Sequence, residues 1–188
     1  MKMSEERTAK SKWFSSKANW YVLFVKTYEE QRIADRLQKK LDSEKYVVFV
    51  PTKDYAFKKQ GTTIMRKVPW LNGYVFIASV EAADICMKMV EPLIVNESAI
   101  FRLLSNDNSP DSAMLSPQDR EIMTDILDEN FNIAAIKAEI VDDRIRINEE
   151  LIAKNGGKIL KVSKHKQTAI IEMALLGKKF DCEIALEF

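Results

Sequence analysis

The sequence predicts an α+β protein in two parts, and three observations carry that expectation. Up to about residue 128, short apolar strands alternate with amphipathic helices; beyond about residue 138, apolar residues recur at every second position. The stretch between them is of mixed composition and suits a linker. The expected division is an extension over 1–18, a first domain over 19–128, a linker over 129–138 and a second domain over 139–188.

In the first part, Trp20 to Val25 is expected as a strand. A helix follows with Ile33, Leu37 and Leu41 on one face, and Arg32, Arg36, Lys39 and Lys40 toward solvent. Tyr46 to Val50 is a second strand, ended by Pro51, and the basic stretch Lys53 to Lys67 is a hairpin or arm around Gly61. Gly73 to Ser79 is another strand. Ala82, Cys86, Met89 and Val90 share a face of a second helix, and Ile100 to Leu104 is a short strand. Asn106 to Ala113, rich in Asn, Asp and Ser, is a loop. Ser116-Pro117-Gln118-Asp119 is a helix start: Ser116 can cap, Pro117 suits the first turn and Asp119 faces the positive helix end. Ile122, Met123, Ile126 and Leu127 form that helix's apolar stripe. This order matches a ferredoxin-like sandwich with helices on one face of an antiparallel sheet. Helices on one face should leave strands that alternate polar and apolar. Tyr21-Val22-Leu23-Phe24 and Tyr74-Val75-Phe76-Ile77 are apolar on both faces. The second face therefore needs a cover: the N-terminal extension, the basic arm, or a docked partner.

In the second part, Arg144 to Ile147, Lys158 to Val162, Thr168 to Leu176 and Phe180 to Phe188 are strand segments. About five short strands in about fifty residues can close a small barrel but not two packed sheets. Gly156-Gly157 suits a tight turn or a bulge where backbones crowd. Phe180 to Phe188 alternates too cleanly for a helical alternative.

Composition narrows the function classes. With 46% apolar and 30% charged residues the chain is an ordinary globular protein, and no apolar run approaches the ~18 residues of a membrane helix. The polar start lacks the apolar segment of a signal peptide, which makes a cytoplasmic location the expectation. Cys86 and Cys182 are expected as buried free thiols. No phosphate-binding glycine loop, paired-Cys metal spacing or catalytic constellation is present, so no enzyme, metal or cofactor is expected. Net charge is only +1, so any nucleic-acid contact must use local patches. Two constellations stand out. Arg66-Lys67-Val68-Pro69-Trp70-Leu71-Asn72-Gly73-Tyr74 gathers Trp, Leu and Tyr around a turn beside positive charge, either as an interface anchor or as core. Lys161-Val162-Ser163-Lys164-His165-Lys166 is a basic hairpin tip, either a solvated turn or a phosphate contact.

These features together resemble the NusG family of transcription elongation factors. WYVLFVKTYEE, VPTKDYAFKKQG and RKVPWLNGYVFI are similar to the family's N-terminal domain, and Ile147 to Ile159, with Gly157 at the motif glycine, is similar to its SH3-like KOW barrel. The finer likeness is to the LoaP-type antitermination paralogue, carried by IFRLL, KVSKHK leading into AIIE, LLG and IALE. Asn72 stands where the family often has proline, and Glu150-Leu151 and Lys154 depart from the usual Gly-Pro and glycine of the KOW motif. The resemblance implies a monomeric factor that docks on the clamp helices of RNA polymerase's largest subunit through Trp70, Leu71 and Tyr74. It further implies upstream or non-template DNA near Lys26 and Arg32. The KOW tip, with Lys161, Lys164, His165 and Lys166, would meet nascent RNA or a protein. A general elongation factor and a KOW-containing RNA- or ribosome-binding protein are the competing readings.

Overall fold

The computed structural model describes residues 12–105, 111–142, 144–148 and 150–188, so the first eleven residues of the expected extension and most of the 106–113 loop lie outside the described residues. The chain divides into two compact units: Met1–Pro51 with Leu71–Arg120, and Thr52–Trp70 with Glu121–Phe188.

The first unit is a four-stranded antiparallel sheet with spatial order β2-β5-β1-β6. Its strands are β1 (Asn19–Val25), β2 (Tyr46–Phe49), β5 (Tyr74–Ser79) and β6 (Ile100–Leu103), joined with α1 (Glu30–Gln38) and α2 (Ala83–Val95) in the ferredoxin-like order. Alternate residues of the strands, among them Tyr21, Leu23, Val25, Val48, Val75 and Ile77, form one core with Ile33, Ala34 and Leu37 of α1 and Cys86, Met87 and Val90 of α2. One expectation on α2 changes: Met89 is half exposed and Met87 is buried in its place. The helix is rotated so that Cys86, Met87 and Val90 (i, i+1, i+4) line its inner face.

The other sheet face carries Trp20, Val22, Phe49, Phe76 and Ala78, all buried. At this end the cover is the chain's own N-terminal segment. The Phe14 ring meets Trp20 edge-on at 5.6 Å, and Trp20 Nε1 donates to the Trp13 carbonyl at 2.9 Å. Trp20 also meets Phe49 at 5.2 Å, and Phe49 stacks on Phe76 at 5.6 Å. Arg120 donates to the Ser15 carbonyl, tying this segment to the start of α3 (Pro117–Ile126). The cap of α3 forms as expected: Ser116 Oγ accepts the Asp119 N–H at 3.1 Å and donates to its carboxylate at 2.7 Å.

The second unit holds two sheets, ordered β4-β3-β7 and β10-β11-β12-β8-β9. The basic arm is the hairpin of β3 (Thr52–Lys59) and β4 (Thr62–Pro69). Its two-residue loop has positive φ at both Gln60 (51°) and Gly61 (82°), the type I′ geometry that matches strand twist. The stretch 129–138 contains β7 (Asn132–Ile133), which pairs parallel with β3, and the start of β8 (Ile136–Val141). Asp54 holds this stretch, accepting from Asn132 Nδ2 and from the Ala135 N–H, both at 3.0 Å.

The remaining strands, β9 (Arg144–Ile147), β10 (Lys158–Ser163), β11 (Thr168–Leu175) and β12 (Lys178–Glu187), make a near-barrel with β8. Between β9 and β10 lies α4 (Glu150–Lys154), where the family motif departs from type. Gly156 takes φ +67° past its end, and the Gly157 N–H donates to the Ile152 carbonyl at 2.8 Å. A Cβ on Gly157 would lie 2.9 Å from Ile152 Cγ2 and 3.0 Å from its carbonyl oxygen. Gly157→Ala is therefore expected to push α4 off β10 and to cost about 1–3 kcal/mol, read as a lower urea midpoint. An unchanged midpoint would show that α4 contributes little to the barrel.

Candidate functional site

The first candidate surface lies in the first unit, at the open end of the second sheet face. The turn Leu71-Asn72-Gly73-Tyr74 is pinned on both sides: the Gly73 N–H donates to Glu30 Oε1 at 2.6 Å, and its carbonyl accepts from the Val25 N–H at 2.8 Å. Gly73 has φ +80°, and a Cβ there would meet the Val25 carbonyl at 3.3 Å and the Phe24 ring at 3.4 Å. Only glycine lets the turn lie this close in that conformation. Glu30, at the start of α1, is buried. Its role was hidden in the sequence because an acidic first helical turn ordinarily faces solvent.

The turn sets Tyr74 beside aromatic partners. Phe24 meets Tyr74 at 5.6 Å and Phe101 at 5.4 Å. Phe101 is 58% exposed, and Leu71, Tyr74 and Phe24 are half-buried. Sequence reasoning found Leu71 and Tyr74 but not Phe24 and Phe101, since nothing in their spacing tells that one sheet end stays open. The apolar second face of β1 was the available signal. Trp70 does not share this exposure. It belongs to the second unit and is 6% exposed there, with its ring 6.2 Å from Phe180. Burial pushes the Cys182 thiol up, and the Lys53 charge opposes this only in part. Burial also pushes up Cys86, and both cysteines are free and buried as expected.

The charged candidates fall into two kinds. Lys26 and Arg32 are paired: Lys26 bonds Glu29 at 2.7 Å, and Arg32 reaches Glu29 and, at 3.8 Å, Glu97. Hydrogen bonds from Lys26 and Arg32 hold the Glu29 carboxyl below the usual carboxylate range. Lys161, Lys164, His165 and Lys166 instead stand exposed at the β10–β11 hairpin. The tip is shaped by Gln167 at φ +54° and by the Lys166 N–H donating to Ser163 Oγ at 3.2 Å. His165 also touches the arm: Lys58 Nζ lies 3.2 Å from His165 Nδ1. Lysine only donates, so Nδ1 is the acceptor in this contact.

The second unit also holds an apolar cavity of about 320 Å³, lined by Ile133, Ile136, Ile152, Ile171, Met173 and Ile184 among others, with no titratable side chain in its wall. No described helix is long and apolar enough to cross a membrane.

The chain is thus an α+β protein in two units, a ferredoxin-like sheet bearing an aromatic turn and a small near-barrel bearing a basic tip. Residues 18–123 match the model of the family described as transcription termination factor NusG. A solved structure concerning domain interaction in Thermotoga maritima NusG is similar in fold at 14% identity and a TM-score of 0.53, covering 89% of this chain and 93% of that one. No curated protein matches the chain. The family match spans more than half of the sequence, and the chain belongs to the NusG family. It is thus a non-catalytic transcription factor with a general NusG-like role in elongation.

Proposed function

We propose that the first unit docks on RNA polymerase through Leu71, Tyr74, Phe24 and Phe101, with the clamp helices of the largest subunit as the surface it meets. The observation that carries this reading is the aromatic cluster, open at one sheet end, while Trp20 on the same face is covered by Phe14 and the Trp13 backbone. Grouped exposed aromatics are the composition of interface anchors. Trp70 is assigned a packing role in the second unit, against Phe180. The action is physical rather than chemical. Pausing requires the clamp to relax, so a factor that binds the closed state better slows entry into pauses. A preference of ~1.4 kcal/mol shifts that equilibrium about tenfold.

The near-barrel then carries the second contact, with nascent RNA met by Lys161, Lys164, His165 and Lys166. The paired state of Lys26 and Arg32 favours this site over a DNA contact through those two residues, which would have to break their bonds to Glu29 and Glu97. A specialised antiterminator of LoaP type is the narrower reading, supported by the KVSKHK tip and its exposure.

Single-round transcription through an intrinsic terminator tests both levels, with the wild type compared with Leu71→Asp plus Tyr74→Asp on templates with and without the leader of the neighbouring operon. Read-through that needs the leader and vanishes in the double variant is the specialised outcome. Leader-independent read-through that vanishes in the variant marks a general elongation factor docked by the same patch. Read-through that survives the double variant removes the docking assignment.

A further inference from the structure

The chain carries 29 basic and 28 acidic residues, yet they are segregated: no Asp or Glu occurs from Tyr55 to Val80 or from Ile152 to Ile171. The first stretch contributes Lys58, Lys59, Arg66 and Lys67, and the second Lys158, Lys161, Lys164, His165 and Lys166. In sequence these runs are about a hundred residues apart. In the second unit the Lys58–His165 contact brings them together, joining the tip of the β3–β4 hairpin to the tip of the β10–β11 hairpin.

Lys58, Lys59, Lys161, Lys164, His165 and Lys166 are all exposed, and none forms an ion pair among the described residues. Glu183, on the adjoining β12, is engaged otherwise: its carboxylate accepts from Thr168 Oγ1 at 3.0 Å and its carbonyl from Lys53 Nζ at 2.7 Å. Some cations elsewhere are paired, as in Lys45–Glu81, Arg36–Glu97 and Lys154–Asp125. Keeping the charges of Lys58, Lys59, Lys161, Lys164 and Lys166 together and unpaired, with His165 bridging the tips as an acceptor, is unfavourable for the free protein and suits an anionic partner that neutralises them together.

We propose that the two hairpin tips form one composite phosphate-binding face, and that its occupant is the double-stranded stem of an RNA hairpin. The choice rests on the reading above that the barrel tip meets nascent RNA. A stem rather than a single strand follows from what the face lacks. Single-strand sites stack bases on open aromatic rings, whereas here Tyr55 and Phe57 are half-buried and the Arg66 guanidinium lies over Phe57 at 4.6 Å. Lysines without such platforms recognise backbone and shape.

The test is fluorescence anisotropy of the full chain with a labelled RNA hairpin across a salt series. Lys58→Glu plus Lys59→Glu and Lys164→Glu plus Lys166→Glu are measured separately, with Lys39→Glu plus Lys40→Glu as a charge-matched control. Each tip pair should weaken binding about tenfold or more and flatten the salt slope by about two, with melting curves unchanged. The control should do neither. If only the β10–β11 pair matters, the composite face is wrong while the RNA reading of the barrel stands. If wild type does not bind the hairpin, both fail. Tighter binding to a DNA duplex of the same sequence, or to the unpaired RNA strand, overturns the assignment of the occupant.

Discussion

Replacing Phe101 and Tyr74 together by aspartate should weaken binding to RNA polymerase by at least about thirtyfold while leaving the first unit folded. The size follows from interface energetics: truncating a central aromatic anchor typically costs ~2 kcal/mol or more, and a carboxylate adds the cost of burying an unpaired charge. Phe101 is 58% exposed on β6, so its loss from the free protein removes little packing and should change stability by less than ~1 kcal/mol. Co-purification or biolayer interferometry with core polymerase reads the affinity, and circular dichroism melting confirms the fold. Val95→Asp is the matched control, since Val95 is also exposed and apolar but makes no part of the cluster. Full affinity in the double variant would place the docking surface elsewhere.

Trp20→Ala should be the most damaging single substitution in the first unit. Trp20 is fully buried, contacts Phe14 and Phe49 edge-on and donates its indole N–H to the Trp13 carbonyl. Removing a buried tryptophan costs about 3–5 kcal/mol from lost transfer energy and the cavity left behind. It also frees the Trp13 carbonyl and takes away the ring against which Phe14 rests. Two effects are therefore expected together: a lower urea midpoint by circular dichroism, and faster tryptic cleavage at Lys12 and Lys17. Destabilisation without faster cleavage would mean that the 12–18 segment is held by Lys12 and by Arg120 rather than by the aromatic contact.

Much of the fold is written in local pattern. The Ile33-Leu37 spacing and the Ser116-Pro117 start foretell helices where they occur, because periodicity and capping are properties of a few adjacent residues, although α1 ends at Gln38 and Leu41 is buried beyond it. The Gln60-Gly61 turn and the β12 alternation are legible for the same reason. The inner face of α2 is less so: Cys86, Met87 and Met89 are all apolar, and only packing decides that Met87 goes in and Met89 stays out.

The candidate sites divide along the same line. Residue types alone single out Leu71, Tyr74 and the Lys161 to Lys166 run, since a Trp-Leu-Tyr turn and a basic hairpin are recognisable chemistry wherever they lie. Sequence also determines the segregation of charge behind a net +1, and the glycines at 73 and 157 where backbones crowd. Tertiary structure alone decides which of those groups are available. It buries Trp70 against Phe180, pairs Lys26 and Arg32 with carboxylates, sets Phe24 between Tyr74 and Phe101 and brings Lys58 to His165. The physical reason is that exposure and charge pairing depend on what faces a side chain across space, and in this protein those neighbours come from strands and turns far apart in the chain.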